Sequence, residues 1–305
     1  MSIQLSILNW MLRTFERPTL AKLPDSLAGH ERLLKQSKSF SEVPGTFYKD
    51  TVLSFGGLDV PTVIAYPKVT KSRAAMLYLH GGGYSMGSPE THRKLAARIA
   101  SITGLTAYVI DYRRAPENPH PAAYEDAEAA YRALLERGYT DIAIAGDSAG
   151  GGLTFALLHG ICGSDLRKPF AVVGMSPWTD LTGASPSLIE NDATEVMLPY
   201  ERFPEMTEQY LGGTQPDNPK VSPVFGHFDG APAALIQVSQ KEILFDDSMR
   251  MAARLREFDV DVTVQTWDDT YHVWQTMHDR VPEATQAVEQ IGTFLNAQYD
   301  KLGIT

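Results

Sequence analysis

Cysteine is almost absent from this chain. One residue, Cys162, is found among 305. An intrachain disulfide is therefore impossible, and disulfide-stapled scaffolds are excluded. A lone thiol suits a reducing compartment, and a cytoplasmic location is expected. Metal-ligand spacing is missing as well. With one cysteine and eight scattered histidines, no zinc-type pattern arises. Basic charge is in deficit: 27 Lys and Arg stand against 37 Asp and Glu, a formal net charge of -10. Binding a phosphate backbone requires a basic cluster that displaces counterions, so no nucleic acid partner is expected. Internal repeats and low-complexity linkers are also lacking.

Long apolar runs are missing too. Near the N-terminus, Ile3, Leu5, Ile7, Leu8, Trp10, Met11, Leu12 and Phe15 follow an irregular helical pattern. Gln4, Ser6 and Asn9 interrupt them, and no basic residue precedes Arg13. A signal peptide needs a basic leader and an unbroken apolar stretch. A bilayer span needs greater length and less polarity. The expectation is an amphipathic helix lying on the protein body over an active site, with no stable membrane association. A helix on a membrane surface is the alternative.

What is present is ordinary globular composition, 43% hydrophobic and 21% charged, in a chain long enough for one large α/β domain. Residues 1–45 are expected to form N-terminal cap helices, with turns at Pro18, Pro24 and Gly29. A hairpin should follow, from Thr51–Phe55 and Pro61–Tyr66 joined at Gly56-Gly57. From Ala74 onward apolar strands alternate with helices. Strands are expected at 75–79, 105–110, 141–145, 170–175, 234–238 and 262–266. Helices are expected at 91–102, 122–137, 248–258 and 284–297, and one follows the strand at 141–145. Strands buried on both faces between helices imply a mostly parallel sheet. The stretch 178–218 breaks the rhythm, with helical pieces such as 199–211 and no strand. Its part 183–218 is expected as a cap insertion in a catalytic domain spanning 46–305.

The most informative stretch is Gly146-Asp147-Ser148-Ala149-Gly150, set between the apolar run Asp141–Ala145 and a helical pattern at Leu153, Phe155, Ala156, Leu157 and Leu158. A G-x-S-x-G between strand and helix is a nucleophile elbow. The bend strains the serine backbone and projects Oγ, and the flanking glycines avoid a Cβ collision. The helix behind Ser148 turns its free N–H groups and positive dipole end toward the reaction centre.

A serine needs a base, an acid to orient that base, and donors for the oxyanion. In this strand–turn–helix setting the chain order is Ser, then Asp or Glu, then His. The histidines downstream are His159, His227, His272 and His278. His159 rides the nucleophile helix about three turns along, roughly 16 Å away. His278 reads as a surface residue near the last helix, and His227 sits in a loop before a strand. His272 sits in a loop after the last strand, where α/β folds place catalysis. For the acid, Glu242 ranks first because it lies in the loop proper. Asp246 ranks second: with Asp247 it precedes a helical pattern that it can cap. Asp268 and Asp269, beside His272, are further rivals. His80-Gly81-Gly82-Gly83 follows a strand and exposes backbone N–H groups. Gly82, Gly83 and Ala149 are the expected oxyanion donors. No Lys-Ser/Thr pair follows these glycines, as a phosphate loop would require.

Together His80-Gly81-Gly82-Gly83 and Gly146-Asp147-Ser148-Ala149-Gly150 resemble the bacterial hormone-sensitive-lipase-like esterases of the α/β-hydrolase fold. Asp111–Glu117, Ser176–Asp180 and Tyr271–Trp274 are similar to segments of that family. The resemblance implies an eight-stranded, mostly parallel sheet with a helical cap. It also implies hydrolysis of short-to-medium acyl esters without a cofactor, a small-molecule ester as partner, and a homodimer. It supports Ser148 as nucleophile, His272 as base, and Gly82, Gly83 and Ala149 as oxyanion donors. The family's acid segment often reads D-P-L-x-D. Laid on Glu242-Ile243-Leu244-Phe245-Asp246, it puts Glu242 at the acid and Asp246 at a second, structural carboxylate. Tyr84, Tyr112, Trp178, Met197 and Leu198 are candidates to line an acyl or alcohol pocket. The competing readings are a catalytically silent ligand-binding protein on the same fold, an interfacial lipase and a lactone hydrolase.

Overall fold

The computed structural model describes residues 1–71 and 73–303. Positions 72, 304 and 305 of the expected catalytic domain lie outside them. The chain opens with α1 (Ile3–Met11), a π-helical turn (Leu12–Glu16), α2 (Arg17–Ala21) and α3 (Ser26–Ser37). The hairpin is β1 (Phe47–Phe55) and β2 (Leu58–Tyr66). Then come β3 (Ala74–Leu79), α4 (Pro89–Thr103), β4 (Thr106–Ile110), α5 (Ala122–Glu136), β5 (Asp141–Asp147) and α6 (Ser148–Cys162). Next are β6 (Ala171–Met175), α7 (Ser187–Glu190) and α8 (Phe203–Leu211). The chain closes with β7 (Ala234–Ser239), α9 (Phe245–Arg256), β8 (Val262–Trp267) and α10 (Pro282–Asp300).

The strands form one eight-stranded sheet in the order β1-β2-β4-β3-β5-β6-β7-β8. β2 runs antiparallel to both neighbours, and every pair from β4 through β3 to β8 is parallel. This is an α/β-hydrolase fold. Every residue of β3 through β7 is buried, as two covered faces require, while the edge strands β1 and β8 are partly exposed. α5, α6 and α9 cover one face, and α4 and α10 the other. α4 shows how local sequence sets a helix. Pro89 opens its first turn, Thr91 Oγ1 reaches back to the Ser88 N–H at 2.9 Å, and Gly104 ends it in the left-handed region.

The N-terminal helices differ from expectation at two points. Pro18 does not break the chain. A π-turn precedes it, in which the Arg17 N–H bonds to the Leu12 carbonyl five residues back, and the helix resumes through the proline. Gly29 does not make a turn either. It lies inside α3, where an added Cβ would sit 2.1 Å from Met86 Sδ, so glycine lets the helix press onto the loop after β3. α9 also begins earlier than expected, so Asp246 and Asp247 lie within its first turn rather than ahead of it. A third apolar cluster joins Leu5 of α1 to Tyr271, Trp274, Val281 and Ala284, so the N-terminal helix packs on the loop that carries His272.

Candidate active site

β5 ends at Asp147 and α6 starts at Ser148, so the chain reverses within one peptide. Ser148 pays for that bend with a φ of +52°, a strained value for a residue with a side chain. Gly150 permits the bend. A Cβ there would lie 2.1 Å from the Leu79 carbonyl and 2.4 Å from that of His80. Ala149 is fully buried in the first turn of α6, where its N–H has no partner within the helix.

His272 lies beyond β8 and is only 4% exposed. Glu242 lies beyond β7 and is 1% exposed. Their loops meet: Glu242 Oε2 is 2.7 Å from His272 Nδ1. The other carboxylate oxygen accepts the Ser176 hydroxyl at 2.8 Å and the Ser239 N–H at 2.7 Å. With Nδ1 engaged, Nε2 is the nitrogen left to face a hydroxyl. Ser148 and His272 line the same cavity, and no hydrogen bond joins their side chains among the described residues. Such bonds are commonly loose until a substrate is seated. Burial alone would push the imidazole toward its neutral form. The hydrogen bond and charge of Glu242, with the charges of Glu195 and Asp147, outweigh it and hold the pKa above the ordinary histidine value.

The rival residues do other work. Asp246 Oδ2 accepts the Ser187 N–H and so ties α9 to α7. Asp247, fully buried, accepts the N–H groups of Thr179 and Asp180. Asp268 accepts from Gln240, and Asp269 pairs with Lys241. His227 is exposed and bonds Asp229, and His159 meets the His227 backbone. His278 is a correction: it is 8% exposed, not on the surface, because it caps the short turn against which α10 packs.

Gly82 and Gly83 face the cavity beside Ser148, and the φ of +124° at Gly82 is open only to glycine. Their loop is tied to the elbow through Asp147. That carboxylate accepts the Gly81 N–H at 3.1 Å and the Tyr78 hydroxyl at 2.7 Å, and pairs with His92 Nε2 at 3.2 Å. Burial would raise the Asp147 pKa, but His92 and Tyr78 outweigh it and hold the group below the ordinary carboxylate value.

The cavity measures about 570 Å³ and is enclosed by both helical parts. Leu8, Leu12 and Phe15 line it from the N-terminal helices, and Leu198, Phe203 and Met206 from the insertion. Trp178 and Met197 line it too. Tyr84 and Tyr112 do not, which corrects their candidacy. Both are fully buried; Tyr84 stacks on Tyr210, and Tyr112 stacks on His80 and donates its hydroxyl to the His80 carbonyl. Two residues escaped the sequence reading. Ser176, with φ of +46°, bridges Glu242 to the Val273 N–H. Its position just past β6 was the available signal. Glu195, in the insertion, is 1% exposed and contributes to the charge around His272. Nothing in its neighbourhood of sequence signals this. Among the described residues, no cluster of three or more His, Cys, Asp or Glu is arranged to hold a metal ion. No helix among them is long and apolar enough to cross a membrane.

Residues 76–276 match a family model described as alpha/beta hydrolase fold. An acetyl-hydrolase of Streptomyces hygroscopicus is 41% identical over 222 residues, covering 72% of this chain and 74% of the relative. An esterase of Acinetobacter venetianus is 37% identical over 72% of this chain and 73% of its own. Among solved structures, the esterase EstE5 soaked with p-nitrophenyl butyrate superposes with a TM-score of 0.91 at 33% identity, covering 98% of this chain and 100% of its own. An esterase from the bacterial hormone-sensitive lipase family gives a TM-score of 0.90 at 35% identity, covering 98% and 99%.

Proposed function

The chain belongs to the α/β-hydrolase family, in its bacterial hormone-sensitive-lipase-like branch, and on that premise we propose how its residues divide the work of cleaving an ester. The protein is a serine carboxylesterase. Ser148 is the nucleophile, His272 the base, and Glu242 the acid that orients the base. The observation that carries this reading is the buried 2.7 Å contact between Glu242 and His272 beside the cavity that Ser148 enters.

The steps follow from that arrangement. Ser148 Oγ attacks the ester carbonyl while His272 Nε2 takes its proton. The carbonyl oxygen becomes an anion held by the N–H groups of Gly82, Gly83 and Ala149. One such donor is worth about 2.7–4 kcal/mol to the transition state. The imidazolium, stabilised by Glu242, returns the proton to the alcohol as the C–O bond breaks. Water repeats the sequence against the acyl-enzyme and releases the acid. The acyl group is a short-to-medium chain, because a cavity of about 570 Å³ walled by leucine, methionine and phenylalanine rewards apolar chains of that size. We further propose a cytoplasmic location, on the ground of the lone cysteine, and a homodimer, on the ground of the family resemblance; cell fractionation and sedimentation velocity check both.

Ser148→Ala tested on p-nitrophenyl butyrate should lose roughly four to six decades of kcat. An unchanged rate sinks the proposal. A silent binding protein on this fold would have no use for a hydroxyl and a carboxylate-oriented imidazole in one cavity wall.

A further inference from the structure

Glu195 is a buried ionisable group close to the base that the steps above leave without a task. It lies in the insertion, five residues past the end of α7, and is 1% exposed. One carboxylate oxygen accepts the N–H groups of Met197 at 2.8 Å and Leu198 at 3.3 Å. The other accepts the N–H of Ile243 at 3.2 Å. Met197 and Leu198 line the acyl cavity, and Ile243 follows Glu242 in the chain. The side chain therefore spans from the substrate wall to the loop that carries the acid.

The residues before it grip the same loop. Asn191 Nδ2 donates to the carbonyls of Gln240 at 3.0 Å and Glu242 at 2.9 Å. Thr194 Oγ1 donates to the Lys241 carbonyl at 3.0 Å. From the other side the N-terminal helices hold this clasp. Arg13 donates to the Thr194 carbonyl at 2.9 Å and Arg17 to that of Glu195 at 3.3 Å.

Capping both sides takes two acceptor oxygens, since an amide has only one and would turn its NH2 against the Ile243 N–H or against those of Met197 and Leu198. Burying the charge is nonetheless a cost that hydrogen bonds to neutral donors offset only in part. What a charge adds is attraction to the one imidazolium formed nearby. We infer that Glu195 is a positioning residue for the reaction: it fixes the Glu242 loop against the acyl wall and shares with Glu242 the charge that forms on His272.

The surrounding charges agree in sign. Glu195, Glu242 and Asp147 all favour the imidazolium. Burial, and then the neighbouring Glu242, raise the Glu195 pKa, while His272 opposes them. Of the cations close to the clasp, Arg17 pairs with Asp192 and Lys241 with Asp269, while the guanidinium of Arg13 bonds the Thr194 carbonyl rather than the Glu195 carboxylate. Removing the Glu195 charge therefore makes the imidazolium less favourable. The base then stays neutral to lower pH.

The test measures wild type, Glu195→Gln and Glu195→Asp on p-nitrophenyl butyrate across the pH range. For Glu195→Gln, kcat should fall about tenfold, as for a small misplacement of the reacting groups. The acid-side midpoint of kcat/KM should move to lower pH. Glu195→Asp keeps the charge but shortens the reach, so it should lose kcat with the midpoint in place. A purely structural role would lower stability without moving the midpoint. A folded Glu195→Gln enzyme whose profile overlays wild type overturns the inference. If Glu195→Gln does not fold, Glu195→Asp decides, and wild-type kcat there overturns it. The inference rests on the Ser148–His272–Glu242 reading, so Glu242→Gln is measured alongside. Full activity in Glu242→Gln discards that reading itself. A crippled Glu242→Gln beside an unaltered Glu195→Gln discards only the role of Glu195.

Discussion

Replacing Glu242 by glutamine changes one atom type and almost no volume, so its effect can be worked out from donors and acceptors. In the native site one carboxylate oxygen accepts from Ser176 Oγ and the Ser239 N–H, and the other from His272 Nδ1. Glutamine has one oxygen and one NH2 to divide between these two sides. If the oxygen faced His272, the NH2 would face the Ser239 N–H, two buried donors in opposition. An unmet buried donor costs about 1–3 kcal/mol. If the oxygen faces Ser239 instead, its bonds there survive and the NH2 faces Nδ1. The ring must then carry its proton on Nε2, the nitrogen meant to receive one from Ser148. The second arrangement leaves no donors opposed, so the wrong tautomer should dominate. A matched change in a serine protease costs about four decades of kcat, or about 5.4 kcal/mol of barrier. Glu242 does not line the cavity, so KM should stay within about twofold of wild type. Steady-state hydrolysis of p-nitrophenyl butyrate measures both constants, with circular dichroism as the check on folding. A folded variant retaining kcat within about tenfold of wild type refutes the reasoning.

Three further outcomes follow from the same geometry. Activity should fall on the acid side as His272 protonates. Because the carboxylates around it outweigh burial, the midpoint of kcat/KM should lie above the ordinary histidine value; a midpoint below it contradicts the charge balance. Met206 lies in the acyl wall against Gly83, so Met206→Trp should lower the octanoate-to-butyrate ratio of kcat/KM by roughly tenfold, and an unchanged ratio would place the acyl chain elsewhere. Gly150→Ala drives a methyl into two backbone carbonyls that cannot yield, so it should cost about 3 kcal/mol or more; a melting temperature equal to wild type would mean that the elbow has slack.

The parts of the molecule legible in sequence are those that neighbouring residues dictate. Five fully buried strands appear as apolar runs because both their faces meet helices. Ser148 stands out because a serine at positive φ needs small residues around it, and those residues adjoin it in the chain. Position relative to the strands singled out His272 and Glu242, and the fold brings their side chains together. At Pro18 and Gly29 the local signal misled. A π-turn absorbs the missing donor in one case, and Met86, far along the chain, explains the other.

The hidden parts depend on partners that only the fold selects. Tyr84 and Tyr112 follow a glycine loop and a strand end, as pocket residues often do, but nothing local says which way an aromatic ring turns. Each turned inward because a ring was waiting there, Tyr210 for one and His80 for the other. Ser176 and Glu195 carry short polar signals with no periodicity, and their partners lie 66 and 48 residues away. A carboxylate inside an irregular insertion looks like a solvated surface group until the loop from β7 closes over it. Burial with three backbone donors, and no cation salt-bridged to it among the described residues, then leaves His272 as the charge it can answer. The insertion is therefore more than a wall for the acyl chain: through Glu195 it bears on the base itself, so changes in the cap should alter the pH dependence of the reaction as well as its choice of substrate.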